Sequence, residues 1–104
     1  MENALSIFNK ILNKSALVNS SSVYYETENI LIRFSNHKAN ISNLSFFEQE
    51  NKNILFVYVN SELTEFEMQE NISEIQNSDY LFFNDGDDLE ILKLMIDRFI
   101  QLNN

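Results

Sequence analysis

The chain has 104 residues, of which 44% are hydrophobic and 12% aromatic, and its formal net charge is −9 at pH 7. This length holds one hydrophobic core, so we expect a single α+β domain over residues 1–104. The sequence has no cysteine, which excludes disulfides, thiolate nucleophiles and Cys-ligated metal sites. No stretch approaches the roughly 18 apolar residues of a membrane span, and we expect a cytoplasmic protein.

The N-terminal segment from about Asn3 to Asn13 predicts an amphipathic helix. Its apolar residues recur at helical spacing and are interrupted by polar ones. The polar cluster Asn19–Ser22 then predicts a loop. The apolar positions of this helix are Ala4, Leu5, Ile7, Phe8, Ile11 and Leu12.

Runs rich in β-branched and aromatic residues begin at Val23 and predict strands. The links between them are short, which favours an antiparallel meander, because a parallel pair takes a crossover of a dozen or more residues. One run, Ile54–Val59, is apolar on both faces and therefore predicts a central strand. The predicted strands are Val23–Glu26, Ile30–Phe34, Ile41–Glu48, Ile54–Val59 and Tyr80–Phe83.

Residues 61–78 fit two patterns. An acidic helix would direct Leu63, Phe66, Ile72 and Ile75 inward. An edge strand over Leu63–Gln69 would alternate apolar and acidic side chains, and we favour this strand slightly.

The C-terminal segment is the clearest helix. Its apolar residues recur with helical period from Leu89 to Leu102, behind the start signal Asn84–Asp88. Asp85 or Asp87 is expected to cap the first turn. Leu94 broadens the apolar arc, so the helix is either deeply buried or leaves an apolar strip for a partner. We therefore predict an antiparallel sheet of four to six strands, with an N-terminal helix and a longer C-terminal helix packed on it.

The negative charge is concentrated in the second half of the chain. Residues 1–52 hold five acidic and five basic side chains, whereas residues 53–104 hold eleven acidic ones against Lys93 and Arg98. Acids at this density repel one another, and a cationic partner would neutralise them. The alternative is that they only coat a solvated face and aid solubility.

No motif for a metal site or a bound cofactor is present. Carboxylates on the tight turn Asp85–Asp88 suit Ca²⁺ or Mg²⁺, but an EF-hand loop with Gly86 at its glycine position would require acids where Leu81 and Phe83 stand. Helix capping is the favoured interpretation of this turn, with weak cation binding as the alternative. Gly86 is the single glycine, which excludes phosphate-binding glycine loops.

No catalytic residue is predicted either. His37 lies in a predicted turn without a neighbour that would make it a general base, and the paired carboxylates Glu65/Glu67 and Asp87/Asp88 are expected to be solvated. Aromatic residues with β-period suggest a base-stacking platform, but an acidic surface repels phosphate, so they are assigned to the core. These aromatics are Phe46, Phe47, Phe56, Tyr58, Phe82 and Phe83.

Two functions remain. The first is a non-enzymatic inhibitor of a basic protein, such as a toxin, a nuclease or a defence-complex subunit, whose carboxylates occupy positions meant for phosphates. In size, acidity and lack of catalytic motifs the chain resembles toxin-neutralising immunity proteins and phage anti-CRISPR proteins. The second is a structural, adaptor or secretion-chaperone-like protein that associates, including as a homodimer, through the C-terminal helix or an edge strand. Neither requires direct nucleic-acid or membrane contact. The expected partner-binding residues are Glu62, Glu65, Glu67, Glu70, Glu74, Asp79, Asp85, Asp87 and Asp88.

Overall fold

The computed structural model describes residues 3–12, 17–19, 22–35, 52–60 and 78–103. It confirms the α+β class. A helix at each end of the chain accompanies a mixed sheet of four strands of five or more residues, with a three-residue strand at one edge. In chain order the elements are α1 (Ala4–Ile11), β1 (Leu17–Asn19), β2 (Ser22–Glu26), β3 (Ile30–Ser35), β4 (Asn53–Val59), β5 (Ser78–Phe83) and α2 (Leu89–Asn103).

The strands lie in the sheet in chain order, from β1 to β5. The first two pairings, β1–β2 and β2–β3, are antiparallel, as predicted. The prediction of a wholly antiparallel sheet is wrong, because β3–β4 and β4–β5 are parallel. β1 also continues to Asn19 and β2 begins at Ser22, where the sequence predicted only a loop.

Chain length between the strands explains the parallel pairs. Residues 36–52 separate β3 from β4, and residues 60–77 separate β4 from β5. Each connection exceeds the dozen or so residues that a parallel crossover takes. The antiparallel prediction depended on short links, with an extra strand at Ile41–Glu48. That strand, and the one over Leu63–Gln69, lie outside the described residues.

The β2–β3 hairpin shows how the sequence sets a turn locally. The Thr27 hydroxyl accepts hydrogen bonds from the backbone N–H groups of Asn29 (3.3 Å) and Ile30 (3.2 Å). Thr27 N–H also donates to the Ile30 carbonyl at 2.9 Å. Such side-chain bonds to the following backbone are typical of threonine in turns, and here they close the hairpin that the sequence predicted.

Helices α1 and α2 pack on the same face of the sheet. Asn3 caps α1 by accepting the Ser6 N–H at 2.8 Å, and Phe8 meets Phe34 of β3 edge to face, with ring centroids 5.3 Å apart. Leu92 and Ile96 anchor α2 in the same core. The strand residues of this core include Val23, Ile30, Ile32, Phe34, Leu55, Val57, Val59 and Phe83.

β4 is buried on both faces, which confirms the prediction of a central strand. Its alternate residues Ile54, Phe56 and Tyr58 form a second cluster with Leu31 on the opposite face. The aromatic residues assigned to the core are buried at Phe56, Tyr58 and Phe83, and half-buried at Phe82. No helix in the described part of the chain is long and apolar enough to cross a membrane.

Candidate partner-binding surface

The turn between β5 and α2 brings several acidic residues together at one end of the sheet. Gly86 has φ +95°, a left-handed conformation that disfavours any other residue, so the single glycine of the chain stands where the turn requires it. Asp87 folds back over the turn: its Oδ2 accepts the Asn84 N–H at 2.8 Å, while its own N–H donates to the Asn84 carbonyl at 3.0 Å. These bonds fix the acidic turn.

Asp88 is the N-cap of α2. Its Oδ1 accepts the Glu90 N–H at 2.9 Å, and its carbonyl accepts the Leu92 N–H at 3.3 Å. The expectation that Asp85 or Asp87 caps this helix is therefore wrong, because the helix begins later in the chain than either cap would place it. The cap places a carboxylate at the positive end of the helix dipole, as the sequence indicated.

Asp85 is hydrogen-bonded to Asn60, the residue that follows β4. The Asn60 Nδ2 donates to Asp85 Oδ1 at 3.0 Å, and the Asp85 N–H donates to Asn60 Oδ1 at 2.8 Å. Asn60 adopts φ 51°, a conformation that asparagine tolerates better than most residues. No sequence pattern singles out Asn60, because its partner is 25 residues away in the chain.

Asp79 is exposed near the start of β5, and its Oδ1 accepts the Tyr80 N–H at 2.8 Å. Four of the nine predicted partner-binding residues, Asp79, Asp85, Asp87 and Asp88, are thus described, and all four are exposed. Each of these carboxylates faces solvent and also accepts a hydrogen bond within the protein. The other five, Glu62, Glu65, Glu67, Glu70 and Glu74, lie outside the described residues.

An exposed apolar strip runs along α2. Ile91 is 56% exposed, Met95 47% and Leu102 72%. Leu94, at 67%, widens the strip. The sequence predicted that this helix is either deeply buried or leaves an apolar strip for a partner. The structure shows both features on one helix, since Leu92 and Ile96 are buried while the strip faces solvent.

A groove separates the strip from β5. Near the turn it has a volume of about 280 Å³, lined by Phe83, Asp88 and Ile91 among others. Toward the end of α2 it continues as a depression of about 420 Å³, lined by Asp79, Leu102 and their neighbours. Leu81 and Met95 line both parts, so the two form one groove between β5 and α2.

Charges around the groove are mostly negative. Asp79 lines one end and Asp87 and Asp88 the other, and the exposed Asp85 and Glu90 lie beside that second end in the chain. Arg98 is the cation among the lining residues. In the described part of the chain no group of three or more His, Asp or Glu side chains is arranged to hold a metal ion. The groove therefore offers apolar contact, and its carboxylates are concentrated at the end near the turn.

The chain matches no known protein family, no curated protein and no solved structure.

Arg33 and Tyr58 are buried polar side chains on the face of the sheet opposite the helices. Arg33 is 6% exposed, and its guanidinium carbon lies 6.0 Å from the centre of the Tyr24 ring. Among the described residues, the Tyr58 hydroxyl has no hydrogen-bond partner. Burial raises the pKa of Tyr58 from its ordinary 10.0 to about 12, while the Arg33 charge acts in the lowering direction.

Tyr58 makes stability depend on pH in alkaline solution. The pKa of Tyr58 is higher in the folded protein than in the unfolded chain. Its contribution to the free energy of unfolding is therefore complete below about pH 10 and is lost as the pH rises through about 12. Tyr58→Phe is expected to remove this decline and, by removing a buried hydroxyl, to raise stability at pH 7 by about 1 kcal/mol. Urea unfolding of both proteins from neutral to alkaline pH checks this. An equal alkaline decline in both would contradict it.

Proposed function

We propose that this protein is a non-enzymatic, cytoplasmic binding protein that inhibits or neutralises a basic protein partner. The supporting observation is the groove between β5 and α2, in which an exposed apolar strip leads to the carboxylates of the turn. Apolar side chains contribute residence time, and the carboxylates speed association with a cationic surface and select against anionic ones.

The class of partner follows from the charge. Carboxylates fixed on a rigid turn present oxygen atoms as a nucleic-acid backbone does, so a surface built for phosphates is a suitable target. A nuclease, a toxin or a nucleic-acid-binding defence subunit has such a surface. Inhibition would then be steric and electrostatic, as in immunity or anti-CRISPR proteins, and would need no catalytic residue.

Neutralising two acids tests the proposal without dismantling the turn. Asparagine can accept the same hydrogen bonds as Asp85 and Asp87, so Asp85→Asn combined with Asp87→Asn removes charge and keeps the geometry. We expect partner binding to weaken roughly tenfold at about 0.05 M salt, and the difference to shrink at about 0.5 M salt, where screening is strong.

The matched control removes two acids from the other end of the sheet, in the β2–β3 hairpin, as Glu26→Gln with Glu28→Gln. A glutamine at position 26 can still accept a hydrogen bond from Lys52, which pairs with Glu26 at 2.9 Å. The partner is captured from host lysate on each immobilised variant, and its nucleic-acid cleavage or binding is then assayed with and without the wild-type protein. Equal capture by all variants, or a captured protein whose activity is unaffected, would contradict the proposal.

The exposed strip on α2 also favours a second candidate, an adaptor that associates through this helix. Ile91, Leu94 and Leu102 are each more than half exposed, which is unusual for three large apolar residues on one helix. Association by this strip would depend little on salt. A complex that persists unchanged at high salt, and in the doubly neutralised variant, would support the adaptor over the inhibitor.

A further inference from the structure

We propose that the groove binds a second copy of this chain, whose α2 lies antiparallel along the exposed strip and pairs its Arg98 with Asp88. A dimer of this kind goes beyond the proposed function, because it forms before the protein meets a partner. Its basis is the order of apolar and charged side chains along the face of α2 that lines the groove.

Five of the residues that line the groove follow one line along α2. Asp88, Ile91 and Met95 line the part near the turn, and Met95, Arg98 and Leu102 line the far part. Their successive spacings in the chain are three, four, three and four residues. This is the a/d repeat with which two helices pack side by side. A helix is therefore the occupant that matches the line, since the side chains on one face of a strand recur every second residue.

The charges along this line have opposite signs at its two ends. Asp88 begins the line and Arg98 lies near its far end, and both side chains are exposed. Ile91 and Met95 lie between them. When two α2 helices run antiparallel, each Asp88 faces the second copy's Arg98, and two-fold symmetry makes this pair twice in the dimer. The second copy thus contributes a cation to the acidic turn of the first.

The same register also matches the apolar residues. Placing Asp88 opposite Arg98 fixes the other pairs, because the chain directions are opposed. Ile91 then lies opposite the second copy's Met95, and Met95 lies opposite the second copy's Ile91. The two-fold axis passes beside residue 93, so Leu94, which is 67% exposed, comes close to its counterpart in the second copy. One register therefore satisfies the charged and the apolar residues together.

Charge also sets the direction and the strength of the pairing. A parallel pair would place Asp88 against Asp88 and Arg98 against Arg98, and like charges at an interface oppose association. The net charge of −9 opposes any dimer, although salt screens this repulsion beyond about 8 Å at physiological ionic strength. The paired segment is only about 15 Å long, so we expect a weak dimer with a dissociation constant on the order of 10–100 µM.

Sedimentation equilibrium of the full-length chain, from about 10 µM to 1 mM, tests the pairing. We expect the wild type to dimerise and Arg98→Glu to dimerise roughly tenfold more weakly, because two attractive pairs become repulsive. Lys93→Glu is the matched control: Lys93 is exposed on the same helix but lies outside the a/d line, and the change in net charge is the same.

The control should dimerise within about threefold of the wild type. A wild type that stays monomeric at about 1 mM would overturn the self-pairing. Equal dimerisation of Arg98→Glu and Lys93→Glu would overturn the pair between Asp88 and Arg98.

Mixing two variants tests the antiparallel register. Asp88→Lys has cations at both ends of the line and Arg98→Glu has acids at both ends, so each alone should dimerise weakly. An equimolar mixture should recover association, because every charged end then faces one of opposite sign. A mixture of folded variants that associates no better than either alone would overturn the register.

A second change at the same position keeps the test valid if loss of the α2 cap unfolds Asp88→Lys. Asp88→Asn retains a side chain that caps helices well and removes only the charge. We expect it to dimerise more weakly than the wild type while its urea unfolding stays nearly unchanged. Dimerisation as strong as that of the wild type would contradict the pair with Arg98.

The dimer and the proposed function fail separately. A second copy and a basic partner would occupy the same groove, so the dimer dissociates as the partner binds. Arg98→Glu removes the pair that holds the dimer but leaves every carboxylate of the turn in place, so we expect it to lose self-association and still capture the partner. Normal dimerisation of this variant would overturn the dimer, whereas loss of partner capture would contradict the proposed function.

Discussion

Phe8→Ala is expected to lower the free energy of unfolding by roughly 3–5 kcal/mol. Phe8 is fully buried in the core that joins α1 to the sheet, and its ring meets Phe34 edge to face. Removing it leaves a cavity that α1 cannot fill, and it also removes an aromatic pair worth about 0.5–1.5 kcal/mol beyond the area buried. Because whole-domain stability is typically about 5–15 kcal/mol, this single change brings the protein close to unfolding. Urea unfolding measures the loss.

Leu5→Ala provides the control for Phe8→Ala. Leu5 lies on the same helix but is exposed, and alanine favours the helix, so we expect a change within about 0.5 kcal/mol. Phe34→Ala and the double variant complete a cycle, in which the sum of the two single losses should exceed the loss in the double variant. Additive losses would show that the Phe8 and Phe34 rings do not stabilise each other.

The elements that sequence reasoning predicted well are those with a strong local pattern. The periodicity from Leu89 onward predicts α2 almost to its last residue, and the apolar run Ile54–Val59 predicts the central strand β4. In β4 the apolar run records burial directly, whereas the recurring side chains of α2 include both the buried Leu92 and Ile96 and the residues of the exposed strip. The turn at Thr27 was also predictable, because the bonds that close it span three residues or fewer.

Sheet topology was not predictable in the same way. Whether β3 pairs with β4 in parallel depends on how residues 36–52 connect them, and a strand proposed inside that segment made the links look too short for a crossover. Likewise the pattern of exposed acids predicts a surface but not its geometry. The bond between Asn60 and Asp85, and the groove beside the α2 strip, arise from contacts between residues far apart in the chain.

Ile96→Ala and Ile91→Ala are expected to separate the stabilising face of α2 from its binding face. Ile96 is fully buried, so its truncation should cost roughly 2–5 kcal/mol. Ile91 is 56% exposed and lines the groove, so the same truncation should change stability by no more than about 0.5 kcal/mol but weaken partner binding. Urea unfolding and capture of the partner on the immobilised variants measure the two effects on the same proteins. Unchanged partner binding by the Ile91 variant would show that the strip near the turn does not contact the partner, and a large loss of its stability would place Ile91 in the core.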